Sequence, residues 1–338
     1  MPVLIIILPQ MSAMNIRAAL DTDKPAIIEL LKSSLGESTI PKSEGLWAWK
    51  HEQSPFGSSY VLVAEENNML IGLRAFMQWR WQWNDTVYKT IRAVDTATHP
   101  GHQGKGIFKK LTLEQLDRCR ADDVRFVFNT PNSQSMPGYL KMGWQIQGKV
   151  PLKLQTLRPL RTMFRLLTKT KPASYTVPKS DWSGVIEAFG SRNAIAPAGL
   201  HTPYTPAYVL WRYAENPLFP YSFITDNKNY FLVYRIKEHS RVSELRITDL
   251  FVFSDADTIR VDIRKKLRTI ANDSGADLLA ISGRQWASMR KYLPSFGLFP
   301  VRNAGPTVTL RKVTAGDEFN TLMDVSNWSY SLGDLELF

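Results

Sequence analysis

The segment from His99 to Phe108, His-Pro-Gly-His-Gln-Gly-Lys-Gly-Ile-Phe, limits the folds open to this chain more than any other. It joins a strand-forming run to a helix-forming one. Glycines 101, 104 and 106 remove side chains where a backbone must come close to a ligand. The helix that follows offers unpaired N–H groups and the positive end of its dipole to an anion. The loop lacks both the spacing and the following Ser/Thr of a Walker loop. Nor does it fit a dinucleotide-binding unit, because the strands before it read as antiparallel.

Around the loop the hydrophobic periodicity is easy to follow. Residues 16–20 read as a short strand. Asp21 or Asp23 caps a helix with Pro25 near its first turn and Ala26, Ile27, Leu30 and Leu31 along one side. Residues 60–64, 69–83 and 87–98 read as an antiparallel meander turning at 65–68 and at Asn84-Asp85. Then come the loop, a helix over 107–120, a strand over 124–129, a short helix over 137–142 and a strand over 144–150. This order resembles the GNAT (Gcn5-related) N-acetyltransferase superfamily across the whole first half. The acyl-CoA signature of that family, Gln/Arg-x-x-Gly-x-Gly/Ala, falls on Gln103, Gly106 and position 108, with Gly104 also as in many members. Phe108 departs from the usual small residue. A downstream pattern of the family falls on Asn132, Tyr139, Lys141, Gly143 and Trp144.

The resemblance implies acetyl-CoA as cosubstrate and a primary amine as acceptor, with direct attack and no acyl-enzyme. Gln103, Gly104, Gly106 and Ile107 are expected to hold the pyrophosphate through backbone N–H groups, with Lys105 adding charge and Asn132 touching the cofactor. Backbone near Ala97 and Thr98 is expected to polarise the thioester carbonyl. Tyr139 matches the position that protonates the departing sulfur. Asp95 and His99 are candidate general bases, beside a base relayed through water. Trp79 and Trp81 alternate with polar residues on one strand face and offer an aromatic platform for an acceptor such as an amino sugar; burial against a helix or a second domain is the other reading.

A length of 338 residues with 44% hydrophobic and 22% charged residues suits two globular domains. Internal similarity points to a duplication. Trp49-Lys50-His51 precedes Pro55 and a strand, as Trp211-Arg212-Tyr213 precedes Pro217 and a strand, 162 positions on. Asp123 before Gly143-Trp144 matches Asp277 before Gly297-Leu298, 154 positions on. The expected organisation is α+β: two GNAT-like domains, each a mixed, mostly antiparallel sheet flanked by helices. The first spans 14–150, a basic linker 151–180, a degenerate second domain 181–326 and a tail 327–338, which by default is frayed. In the second half the stretch 247–265 has no glycine and carries Asp249, Asp255, Asp257 and Asp262, so acyl-CoA binding there is expected to be lost. That domain would cover the first cleft, with Trp211 to Tyr213 and Arg284 to Trp286 as candidate lining.

The charge and the cysteine count remove other classes. Of the net charge of +11, seven units fall in 151–180, where there is no acid. Nucleic acid is therefore not an expected partner. Arg158, Arg161 and Arg165 share a helical stripe beside Leu160, Met163, Phe164 and Leu167. They read as a linker helix packed on one face and solvated on the other, or as a membrane-surface or anionic-partner helix. One cysteine, Cys119, excludes a disulfide framework. Five scattered histidines make no metal-ligand pair, so no metal is expected. The apolar run near Met1 is too short for a span or a convincing signal peptide, with Met11 or Met14 as alternative starts, and a cytoplasmic location is expected. Two rival readings are a Fem-type aminoacyltransferase using aminoacyl-tRNA and a non-catalytic acyl-CoA-binding relative. Retention of the Gln103–Gly106 loop argues against the former, and Phe108 favours the latter. The acceptor and the oligomeric state are not legible.

Overall fold

The computed structural model describes residues 14–36, 40–178, 180–294, 299–301 and 305–335. Met1 and Met11 lie outside them. The first half runs β1 (Asn15–Ala18), α1 (Lys24–Leu35), α2 (Glu44–His51), β2 (Tyr60–Glu66), β3 (Met69–Trp83), β4 (Thr86–Thr98), α3 (Ile107–Ala121), β5 (Phe126–Asn129), α4 (Met136–Lys141) and β6 (Gln145–Lys149). The middle holds β7 (Leu152–Thr156), α5 (Pro159–Thr168), α6 (Ser183–Ser191) and α7 (Pro206–Val209), which runs on as a π-helical turn, Leu210–Ala214. Next come β8 (Ser222–Thr225), β9 (Tyr230–Glu238), β10 (Ser243–Val252), α8 (Thr258–Asp273), β11 (Leu278–Ser282) and α9 (Gly283–Ser288). The chain closes with β12 (Phe299–Val301), β13 (Thr307–Lys312), α10 (Glu318–Leu322) and α11 (Leu332–Leu335).

Two sheets result, ordered β1-β2-β3-β4-β5-β13-β6 and β12-β7-β11-β10-β9-β8. Without β1 they match strand for strand. In each the central pair alone is parallel, Thr90–Arg92 with Phe126–Phe128 and Glu244–Arg246 with Leu278–Ala280. Each also has a bulge at the equivalent place, at Val94-Asp95 on β4 and at Thr248 on β10. The α+β fold of two similar mixed sheets is as expected; the partition of the chain between them is not. β7 lies between β11 and β12 of the second sheet, and β13 lies between β5 and β6 of the first. Each half lends a strand to the other, so boundaries at 150 and 181 cut through two shared sheets. Strand exchange of this kind leaves no mark in local periodicity, because β7 and β13 read as strands wherever they pair.

The 151–180 segment is likewise more than a linker. After β7, α5 turns its arginines inward. Arg161 and Arg165 pair with the buried Asp277 at 2.8 and 2.6 Å, and Arg158 donates to the carbonyls of Ala271 and Ala276 at the end of α8. The apolar stripe of α5 faces solvent, the reverse of a packed linker helix. The tail is also built in rather than frayed: Trp328, Tyr330, Leu332 and Leu335 are buried. Its last residues, 336–338, lie outside the described residues.

One aromatic core spans both halves, with Trp79, Trp81, Trp211, Trp328 and Tyr330 all in it. At its centre α2 meets the π-helical turn. The indoles of Trp49 and Trp211 stack with centroids 5.0 Å apart, and each Nε1–H donates to the other residue's carbonyl at 2.7 Å. The two members of the sequence repeat are therefore each other's partners. α2 itself has Ser43 as N-cap, accepting from the Leu46 N–H. Replacing Trp211 with Ala removes the stack and strands the Trp49 carbonyl, which accepts from the Trp211 indole N–H, and should cost about 3–5 kcal/mol. Urea unfolding monitored by circular dichroism checks this; a cost near zero would mean that the halves are held elsewhere.

Candidate active site

Beyond Arg92 the first-sheet pair β4 and β5 stops pairing, and the gap becomes a cleft of about 920 Å³. One wall is residues 93–98 of β4, the other is 129–139, and the mouth is Gln103 to Lys109. The bulge at Val94-Asp95 drives the divergence, since an unmatched residue bends its strand.

At the mouth, Gly104 and Gly106 have φ of +77° and +75°, a left-handed conformation that side chains disfavour. Gly106 is the N-cap of α3 and supplies no side chain to its first turn. The amides of that turn are thus left for a ligand, and the helix dipole adds to their attraction for an anion. Gln103, Gly104, Gly106 and Ile107 line the cleft; Lys105 does not, its Nζ lying 3.4 Å from His102 Nδ1. Lys109, one turn on, lines it instead. Phe108 fits because of Gly138: a Cβ there would come within 3.0 Å of the Phe108 ring, and that ring also meets Tyr139 edge-on at 5.5 Å.

Tyr139 is buried on α4 and lines the cleft, and its hydroxyl accepts from Arg74 Nη1 at 2.8 Å. That bond uses an oxygen lone pair and leaves the hydroxyl proton to be given elsewhere. Arg74 is itself fully buried, and its Nε and Nη2 have no hydrogen-bond partner among the described residues. It stacks over Phe76 at 4.4 Å instead, an aromatic rather than ionic partner.

Asp95 lines the cleft, but its Oδ2 accepts from Lys50 Nζ at 2.9 Å and from His51 Nε2 at 2.8 Å. Burial pushes the carboxyl up, yet Lys50 and His51 outweigh it and hold it below the usual carboxylate range. A group kept this firmly ionised is a poor proton acceptor, which argues against Asp95 as the base. His51 is pushed down by burial more than Asp95 raises it, so it is the neutral partner. His99, unlike Asp95, does not line the cleft: its Nδ1 accepts from the Gly101 N–H and caps the turn. The sequence gives Lys50 and His51 no role of their own, although both sit in the repeated tryptophan motif.

Other expected contacts divide the same way. Ala97 and Thr98 line the cleft, though the Thr98 N–H donates to Ser34 Oγ at 3.4 Å. Asn132 lies at its edge, where Oδ1 accepts from the N–H groups of Gln134 and Ser135. Trp79 and Trp81 are corrected: both are fully buried in the core, Trp79 donating to Thr202 and Trp81 packed on Trp328 and Tyr330, because the second half covers that strand face. Trp211, Arg212 and Tyr213 are buried in the same interface and do not line this cleft, while Gln285 donates to Asp249 and Arg284 to the Trp328 carbonyl. Arg92, which the sequence did not mark, lines the inner end and donates to the carbonyl of Leu335 at 2.8 Å.

Comparison with known proteins follows these lines. A family model described as an acetyltransferase (GNAT) domain matches residues 15–147. An L-methionine sulfoximine/L-methionine sulfone acetyltransferase of Salmonella typhimurium is 28% identical over 148 residues, 41% of this chain and 84% of that protein. The L-amino acid N-acyltransferase MnaT of Escherichia coli is 27% identical over 151 residues, 41% of this chain and 83% of that protein. Both matches span less than half of the chain. The fold of nearly all of it recurs in a GCN5-related N-acetyltransferase from Anabaena variabilis, with a TM-score of 0.59 and 14% identity over 89% of this chain and 73% of that one. The signature loop, the splayed strands and these matches agree on residues 15–147, which form a domain of the GNAT acetyltransferase type.

Proposed function

We propose that the chain is an acyl-CoA-dependent N-acyltransferase, with acetyl-CoA the simplest donor and a small primary amine the acceptor. The observation that carries this is the cleft between the splayed strands, whose mouth is the Gly104–Gly106 loop and the uncapped start of α3. Acyl-CoA supplies an activated thioester carbonyl and an anionic pyrophosphate. The loop amides and the α3 N-terminus bind the anion, and Lys109 adds charge nearby. Backbone N–H groups of β4 near Ala97 polarise the carbonyl. Holding amine and thioester together in the cleft supplies much of the rate. Tyr139 gives its hydroxyl proton to the departing sulfur, positioned by Arg74. The proton of the amine leaves through water, since Asp95 is held ionised by Lys50 and His99 faces its own turn.

The names of the two relatives make L-amino acids and their analogues the first acceptors to try. An amino sugar loses the platform on which that expectation rested, as Trp79 and Trp81 are buried. Phe108, which spoke for a non-catalytic relative, is matched by Gly138. A cytoplasmic location goes with this reading, and among the described residues no helix is long and apolar enough to cross a membrane. The second half takes no acyl-CoA in it, because the tail fills its equivalent cleft: Ser282 on β11 donates to the Tyr330 carbonyl, and Ser331 Oγ donates to Asp249 on β10.

Gly106→Asp should abolish acetyl-CoA binding in calorimetry, because a carboxylate meets the pyrophosphate and a side chain strains the left-handed cap; normal binding would refute the loop assignment. Tyr139→Phe should lower kcat about a hundredfold with acetyl-CoA affinity unchanged. An unaltered kcat would remove Tyr139 from the chemistry. Asp95→Asn leaves the buried Lys50 without its counter-charge and should cost about 3–5 kcal/mol of stability. Since the folded carboxyl sits below its ordinary value of about 3.9, its contribution is full above that pH and lost as the pH falls through the folded value. The stability gap between wild type and variant should therefore narrow in acid. A gap independent of pH would argue that the loss is steric.

A further inference from the structure

The helix α5 presents its apolar face to solvent. Leu160, Met163, Phe164 and Leu167, at positions i, i+3, i+4 and i+7, are 78, 56, 61 and 75% exposed. The opposite stripe is fixed in place: Asp277 holds Arg161 and Arg165, and the carbonyls closing α8 hold Arg158. A helix packed only for cohesion would bury its leucines and phenylalanine and leave its arginines in water. The reverse arrangement costs exposed apolar surface, and grouped surface of that kind marks an interaction site.

The surroundings are cationic. Lys169 and Lys171 follow the helix, and Arg264 and Arg268 of α8 line, with Arg158, a groove of about 380 Å³ beside its start. Lys169, Lys171, Arg264 and Arg268 have no acidic partner among the described residues. The whole 151–180 segment contains no acid, and the chain carries +11 overall. A second copy docked symmetrically on this face would bring like charges together at close range. A nucleic acid would satisfy the cations and leave the leucines in water. An anionic bilayer satisfies both, taking the apolar side chains at the acyl boundary and the cations at the headgroups.

We propose that α5 is a docking helix for an anionic lipid surface, inserting Leu160, Met163, Phe164 and Leu167 while the flanking Lys169, Lys171, Arg264 and Arg268 bind headgroup phosphates. The helix is already formed and its roll fixed by three arginines, so docking requires no folding step. The acyl-CoA cleft takes none of these residues, and the proposal stands whether or not the chain is an acyltransferase.

Co-sedimentation of the full chain with vesicles tests it, using phosphatidylcholine alone and phosphatidylcholine mixed with phosphatidylglycerol. Wild type should bind the anionic vesicles only, and less as salt rises. Phe164→Glu and Leu167→Glu should each weaken that binding by about tenfold or more, with unchanged circular dichroism melting, since both side chains are exposed. Paired Arg264→Glu and Arg268→Glu should remove the preference for anionic lipid. Failure of wild type to bind anionic vesicles overturns the proposal, as does equal binding by the α5 variants. A wild-type dimer in light scattering that Leu167→Glu dissolves would also overturn it, assigning the face to a second copy.

Discussion

The reciprocal contact between Trp49 and Trp211 organises this molecule. Two residues related by the internal repeat stack on each other and exchange indole hydrogen bonds, so the equivalent helices of the two halves meet face to face. Around that contact the exchange of β7 and β13 ties each sheet to the other half. The aromatic core then closes over the outer face of β3, which is why its tryptophans are structural. Neither half completes its own sheet, and the first cleft is shaped by a wall that includes β5, paired to a strand from far along the chain.

The same symmetry explains how the two clefts diverged. Asp95 and Asp249 stand 154 positions apart at equivalent places beside the two bulges. In the first half Asp95 meets Lys50 and His51; in the second, Asp249 meets Tyr213 and Gln285. Burial and the neighbouring Asp334 push Asp249 well up, so the second site has traded an ion pair for a buried network of neutral donors. The C-terminal segment lies across that network, with Asp334 accepting from Thr202 at 2.6 Å and Arg212 donating to the Gly333 carbonyl at 2.9 Å. Gly333 is required there because a Cβ would strike the Tyr213 hydroxyl. The segment then reaches Arg92 at the inner end of the first cleft. The second copy is crossed by the chain's own tail, while the first keeps an open cleft.

Much of this was legible in the sequence where chemistry is local. The glycine loop, the meander before it, Tyr139 and the tryptophan repeat are each written in short windows; the loop and Tyr139 line one cleft, and the two tryptophans of the repeat meet. What depends on long-range pairing was not. β7 and β13 have ordinary strand patterns, and nothing in them says which sheet they join. Trp79 and Trp81 alternate like an exposed platform because alternation reports one face and not what covers it. The stripe of Arg158, Arg161 and Arg165 gave the helix and its two faces, but the inward direction is decided by the buried Asp277, over a hundred residues away. Asp95 looked like a base until Lys50 and His51, from another element, were brought to it.

The proposed function requires one working cleft in a chain that carries the fold twice. Titration calorimetry of the full chain with acetyl-CoA measures that directly through its stoichiometry. One molecule bound per chain is the predicted result, with the anion at the start of α3. Two molecules per chain would mean that the second cleft opens despite the tail, and none would mean that the loop at Gly104 and Gly106 is a turn without a ligand.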